Sequence, residues 1–182
     1  MQLQDRIKKL ADKYFDEVVK LRRTIHSNPE LAFEEHETSK LVASTLEKYG
    51  VDVKRGVART GILGTLKGKG KGRTVALRSD MDALPITEEN NVTYISQNPG
   101  IMHACGHAVH STCLLGAAKI LNELKEEWEG TVKLIFQPGE ERNPGGASIM
   151  IKEGVLEDPK PHAILALHVH PGLETGKLSF RG

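Results

Sequence analysis

Cysteine is nearly absent from this chain of 182 residues: Cys105 and Cys113 are the only two. That is too few for a disulfide framework and suits a reducing compartment. Charge of one sign is missing as well. Lys plus Arg numbers 25 against 24 for Asp plus Glu, a net charge of +1 that supplies no long-range field for a polyanion. No nucleic-acid partner is expected. Long apolar runs are also lacking, and nothing approaches the stretch of about 18 residues that spans a bilayer. No membrane partner is expected either. The opening Met1-Gln-Leu-Gln-Asp-Arg6 has no apolar h-region, so no secretory leader is expected and the expected location is cytoplasmic.

What the chain does have is histidine, eight in all, with five in two short clusters. Length alone suggests one domain, against a prior of about 150 residues per domain.

Leu3, Ile7, Leu10, Tyr14, Val18, Leu21 and Ile25 recur at the spacing of one helix face, and Pro29 stops the pattern. A second helix is predicted from near Glu34 to Thr38, through Leu41, Val42, Leu46 and Tyr49, to a C-terminal Gly50. The period then changes. Val51 to Val57, Gly61 to Leu66 and Thr74 to Leu77 read as strands, with the Lys67–Arg73 Lys/Gly run as a solvated turn that fits no phosphate-loop pattern. A helix is predicted over Val109 to Trp128, a strand over Thr131 to Phe136, a short helix over Ala147 to Glu153, and a buried-type strand over Ala163 to Leu167. Lys177 to Phe180 offers one more strand. Strands alternating with helices predict an α/β fold, a layered sheet flanked by helices.

In such sheets ligands gather at the carboxyl ends of strands. Four of those places carry metal-binding atoms: Asp80 and Asp82; His103, Cys105, His107 and His110; Glu140 and Glu141; His168 and His170. Each has a plain structural reading when taken alone. Cys105-Gly-His107 can be a turn thiol beside a surface histidine, Glu140-Glu141 a solvated pair, His168-Val-His170 a strand end with one ring inward, and Asp80-Met-Asp82 turn and cap chemistry. Their shared position and complementary thiolate, imidazole and carboxylate groups point instead to a divalent transition-metal site. Adjacent glutamates can divide the labour of a metal-assisted hydrolase, one coordinating and one taking a proton from water. The break at Pro138-Gly139 frees them from the alternation of a regular strand. A competing mechanism pairs Cys105 as nucleophile with His107 or His103, its thiol activated by the start of the helix near Val109. It leaves Glu140, Glu141 and His168 without a task.

Five segments together carry a specific resemblance: Leu21-Arg-Arg-Thr-Ile-His26-Ser-Asn-Pro29-Glu-Leu, Ala76-Leu-Arg-Ser-Asp80-Met-Asp82-Ala-Leu-Pro85, Met102-His-Ala-Cys105-Gly-His107, Ile135-Phe-Gln-Pro-Gly-Glu140-Glu141 and Leu167-His168. In order and spacing they resemble the M20 metallopeptidase family, in particular its amidohydrolase branch of N-acyl-amino-acid amidohydrolases, aminoacylases and hippurate hydrolases. The resemblance implies two divalent metal ions, zinc first, with manganese, cobalt or nickel also admitted. Cys105 would bridge them, His107, Glu141 and His168 would be further ligands, Glu140 the general base, and Asp82 the residue holding a ligand histidine in its tautomer. The implied reaction is hydrolysis of the amide bond of a small N-acyl-amino acid or peptide.

Two departures from the family pattern follow. Ala108 stands where the family has Asp directly after the ligand histidine, and loss of that carboxylate is expected to weaken metal binding or misorient His107. Family members are also about twice this length, with a lid and dimerisation domain inserted after the first half. Residues 1–182 are therefore expected to be the N-terminal segment of the catalytic domain, without the lid that bears the homodimer surface and without the last ligand histidine. Little or no activity is expected of this polypeptide alone. A non-catalytic fragment that binds metal or a partner is the alternative.

Overall fold

The computed structural model describes residues 2–180. Two helices open the chain, α1 (Leu3–Ser27) and α2 (His36–Lys48), followed by strands β1 (Asp52–Val57), β2 (Gly61–Lys67) and β3 (Thr74–Asp80). Helix α3 (His107–Glu123), strand β4 (Thr131–Gln137), helix α4 (Gly146–Lys152) and strand β5 (Ala163–Ala166) complete it. The sheet is mixed, in the order β1-β2-β4-β3-β5. The β1/β2 and β2/β4 pairs are antiparallel, while β3 runs parallel to both β4 and β5. The carboxyl ends of β3, β4 and β5 therefore lie side by side, where the sequence places its candidate ligands.

Period-two alternation in the strands builds a core on each face. Leu134, Phe136, Ile62 and Leu66 pack with Val42 and Leu46 of α2 and Leu114, Leu115 and Ala118 of α3. Between them, Ile135 points the other way, onto Ala76 of β3 and Met150 of α4. Phe136 and Leu134 are fully buried, each contributing roughly 1.5–3 kcal/mol of transfer free energy. Helices thus cover both faces, as the alternation of elements predicts.

The differences from expectation have local causes. Helix α3 begins at His107, two residues earlier than the periodicity suggests, because Gly106 at φ +90° turns the chain into it. It ends at Glu123, followed by a 3-10 turn over Lys125–Glu127, and the Trp128 indole N–H donates to the Leu121 carbonyl across that turn. The apolar stripe of α1 is correct in phase, but its N-terminal end stands free. Leu3 and Ile7 are exposed, whereas Ile25 is buried. Strand β5 is not buried: it lies at the sheet edge with Ile164 54% and Leu165 61% exposed, so apolar composition alone misjudged its surroundings. Lys177 to Phe180 forms no strand, since no neighbour offers it a ladder among the described residues. The Lys67–Arg73 run is a turn, folded against Trp128 and Gly130.

Candidate metal centre

The site is built where three parallel strands end and α3 begins. Asp80 closes β3, and Asp82 follows it by two residues. Glu140 and Glu141 come after the Pro138-Gly139 break at the end of β4, and His168 lies beyond β5. Gly106 places Cys105 just before α3 and His107 in its first turn.

His107 is fully buried and its two nitrogens have different fates. Nδ1 lies 3.1 Å from Asp82 Oδ1, and the Asp82 carboxylate, itself buried, accepts the Nδ1 proton. Nε2 therefore carries the lone pair. It is buried and has no hydrogen-bond partner, and it stands 3.8 Å from both Asp80 Oδ2 and Glu141 Oε1. A buried imidazole nitrogen facing two carboxylates is suited to hold a cation or a second proton. Asp82 does more than fix the tautomer: its Oδ2 accepts the backbone N–H of Glu141 at 2.9 Å. One carboxylate thus sets both the histidine and the acidic pair.

Cys105 Sγ lies 3.3 Å from His168 Nε2, while Asp80, His107 and His110 form a second group and His107, Glu140 and Glu141 a third. In each group the ligand atoms lie within 4.8 Å of one another. His107 is common to all three. Both glutamates reach it, as the strand break allows.

Both ring nitrogens of His110 are engaged within the protein. The backbone N–H of Val169 donates to its Nε2 at 3.0 Å, which leaves the proton on Nδ1, 2.6 Å from Asp80 Oδ1. With both nitrogens engaged, His110 joins the end of β3 to the segment that carries His168. Sequence reasoning listed Asp80 and His110 at strand ends but gave neither a role. Their signal was the three-residue spacing of His107 and His110, which puts both rings on one face of α3. His103 and His170 do not join the cluster: His103 is buried toward His26, and His170 accepts the N–H of Gly172.

Arg78 bridges the tops of β3 and β4, donating to Gln137 Oε1 and, at 2.7 Å, to Asp80 Oδ2. Burial pushes Asp80 up, but the His110 hydrogen bond and the charges of His107 and Arg78 outweigh it and bring it down to about 2. Burial pushes His107 down, and the Asp82 hydrogen bond with the charges of Asp80, Asp82 and Glu141 reverses the sign, so its net shift is upward. The local field is negative and attracts protons or cations. The same field works on the thiol. Burial first, then hydrogen bonding and repulsion from Glu141, Asp80 and Glu140, push Cys105 up to about 11. This shift runs opposite to the activation expected from the helix start and disfavours a thiolate nucleophile. A divalent ion among these carboxylates would favour the thiolate as a ligand.

Ala108 is buried in the first turn of α3, and the carboxylate that meets His107 is Asp82, from the loop after β3.

The model of Peptidase family M20/M25/M40 matches residues 76–181. The chain belongs to this family. An IAA-amino acid hydrolase of Arabidopsis thaliana is 52% identical over 170 residues, 93% of this chain and 38% of that protein. The N-acyl-L-amino acid amidohydrolase of Geobacillus stearothermophilus is 41% identical over 175 residues, 96% of this chain and 46% of that protein. A Bacillus subtilis crystal structure, described as a dinuclear metal binding peptidase from the M20 family, superposes with a TM-score of 0.83 at 37% identity. It covers 89% of this chain and 45% of that one. The mixed sheet flanked by helices is thus the fold of M20 catalytic domains, and the chain spans about half the length of the curated relatives it matches. Among the described residues no helix is long and apolar enough to cross a membrane.

Proposed function

We propose that this M20 chain carries most of a binuclear metal centre of a hydrolase that cleaves the amide bond of small N-acyl-amino acids or peptides. The observation that carries the reading is His107, fixed at Nδ1 by Asp82 with a buried, unpartnered Nε2 amid carboxylates. Cys105, His107, Glu141 and His168 would hold the metals. The donor set mixes thiolate, imidazole and carboxylate, which suits zinc first and also admits manganese, cobalt or nickel. The ions supply a Lewis acid for the scissile carbonyl and lower the pKa of water at the site.

The chain's own residues supply the rest. Glu140, solvent-facing and next to a coordinating Glu141, takes the proton from water and returns it to the leaving amine. Asp82 keeps the Nε2 lone pair of His107 aimed at the metal. Support for the substrate class comes from the relatives, which include hydrolases of an IAA-amino acid and of N-acyl-L-amino acids.

Residues 1–182 are the N-terminal segment of the catalytic domain in this reading. Glu140, Glu141 and His168 are exposed, so this polypeptide alone neither excludes water nor orients substrate, and misplacement costs orders of magnitude in rate. Little turnover of N-acetyl- or N-benzoyl-amino acids is expected of it.

Alkylation tests the centre. At a pH alkaline enough to ionise the free thiol, iodoacetamide is expected to modify Cys105 slowly with zinc bound and faster once a chelator is added; peptide mass spectrometry reads Cys105 separately from Cys113. Equal Cys105 rates with and without zinc would remove the basis of the reading.

A further inference from the structure

Glu35 is fully buried, yet among the described residues no cation is paired with its carboxylate. Its Oε1 accepts the backbone N–H of Gly139 at 2.8 Å, and its Oε2 accepts the hydroxyl of Thr60, itself buried in the β1–β2 turn. Gly139 directly precedes Glu140 and Glu141. An apolar side chain would fill this space without the cost of burying a charge, so a carboxylate here serves position rather than packing.

The surrounding chain points the same way. Glu35 ends a strap, residues 30–35, that grips both loops of the metal centre. At one end, Leu31 bridges to Ala83, and the Glu30 carbonyl accepts the N–H of Ala83, the residue after Asp82. The Glu30 carboxylate accepts the N–H groups of Glu37 and Thr38, which anchors the strap to the start of α2. At the other end the Phe33 ring fills the space a Cβ on Gly139 would take, 2.5 Å from it. Phe33 adopts φ +66°, a conformation that non-glycine residues hold only when their surroundings impose it.

We propose that Glu35 is a positioning residue of the metal centre: through the Gly139 N–H it sets the Glu140-Glu141 pair against His107. This rests on the metal-centre reading above. It also gives a task to the Pro29-Glu-Leu segment, which carries no candidate ligand.

Cobalt(II) titration of purified 1–182 tests it, reading the dissociation constant and the visible and thiolate charge-transfer bands, with thermal unfolding in parallel. Glu35→Ala is expected to weaken cobalt binding about tenfold or more and to change the bands, in the range seen when outer partners of ligands are lost. Glu35→Gln is expected to stay near wild type, since its amide oxygen accepts the Gly139 N–H and its NH2 donates to Thr60. Thr60→Val, which removes one support and no charge, is expected to give a smaller loss in the same direction and serves if Glu35→Ala does not fold. A folded Glu35→Ala, or failing that Thr60→Val, with the wild-type constant and bands overturns the positioning role and leaves the metal centre standing. A lower melting temperature with unchanged bands has the same meaning. Wild-type chain that binds no cobalt overturns both readings.

Discussion

Asp82 Oδ1 lies 3.1 Å from His107 Nδ1, and both side chains are fully buried. Because Oδ2 also accepts the Glu141 N–H, one carboxylate orients two candidate ligands from different elements. Asp82→Ala is expected to lower metal affinity about 10–100-fold, the usual cost of losing a carboxylate behind a ligand histidine. Asp82→Asn keeps the Glu141 contact only if its oxygen faces that N–H, and its amide then meets Nδ1 and forces the other tautomer. It is expected to lose affinity as well. Calorimetric zinc titration of both variants checks this, and wild-type affinity in both would show that Asp82 is merely structural.

The adjacent glutamates are expected to separate by role. Glu141→Gln lowers metal content, because the residue facing His107 Nε2 at 3.8 Å loses its charge. Glu140→Gln leaves metal content near that of wild type and removes the residual hydrolysis, whatever its level. Elemental analysis of the dialysed variants distinguishes the two positions, and equal metal loss in both would make Glu140 a ligand rather than a base.

Away from the metal centre, Glu88 sets part of the acid stability. Burial pushes its carboxyl up, but hydrogen bonds from Asn90, His26 and the Ser96 N–H prevail and hold it at about 2, below the usual 4.5. A depressed folded pKa means that the stabilisation is complete above about pH 4.5 and is lost as pH falls toward about 2. Glu88→Gln is therefore expected to be less stable than wild type at neutral pH and to have a flatter acid limb. Urea unfolding from pH 7 down to 2 checks this; parallel acid limbs would show that Glu88 is not the group responsible.

Much of this was legible in the sequence, for identifiable reasons. The α/β alternation, the strand-end position of Asp82, Glu141 and His168, and the place of Cys105 and His107 beside the start of a helix follow from periodicity and spacing, which are local. Partnership across long separations is not local. Glu35 falls at the expected start of the second helix, and only the fold brings it to Gly139, 104 residues away. His110 was visible as a histidine near the start of a helix, but its bond to the backbone N–H of Val169 depends on the fold. The strand Ala163–Ala166 is apolar and reads as buried, yet it lies at the edge of the sheet. The carboxylate that meets His107 comes from the loop after β3, 25 residues away, which is another pairing that local spacing does not show.

Metal content of the purified chain tests the central claim most directly. After incubation with zinc and dialysis, elemental analysis of 1–182 and of Cys105→Ala should find two ions per wild-type chain and loss of both on the substitution, because one thiolate serves both sites. No bound metal in the wild type, or two ions retained by Cys105→Ala, would contradict the account.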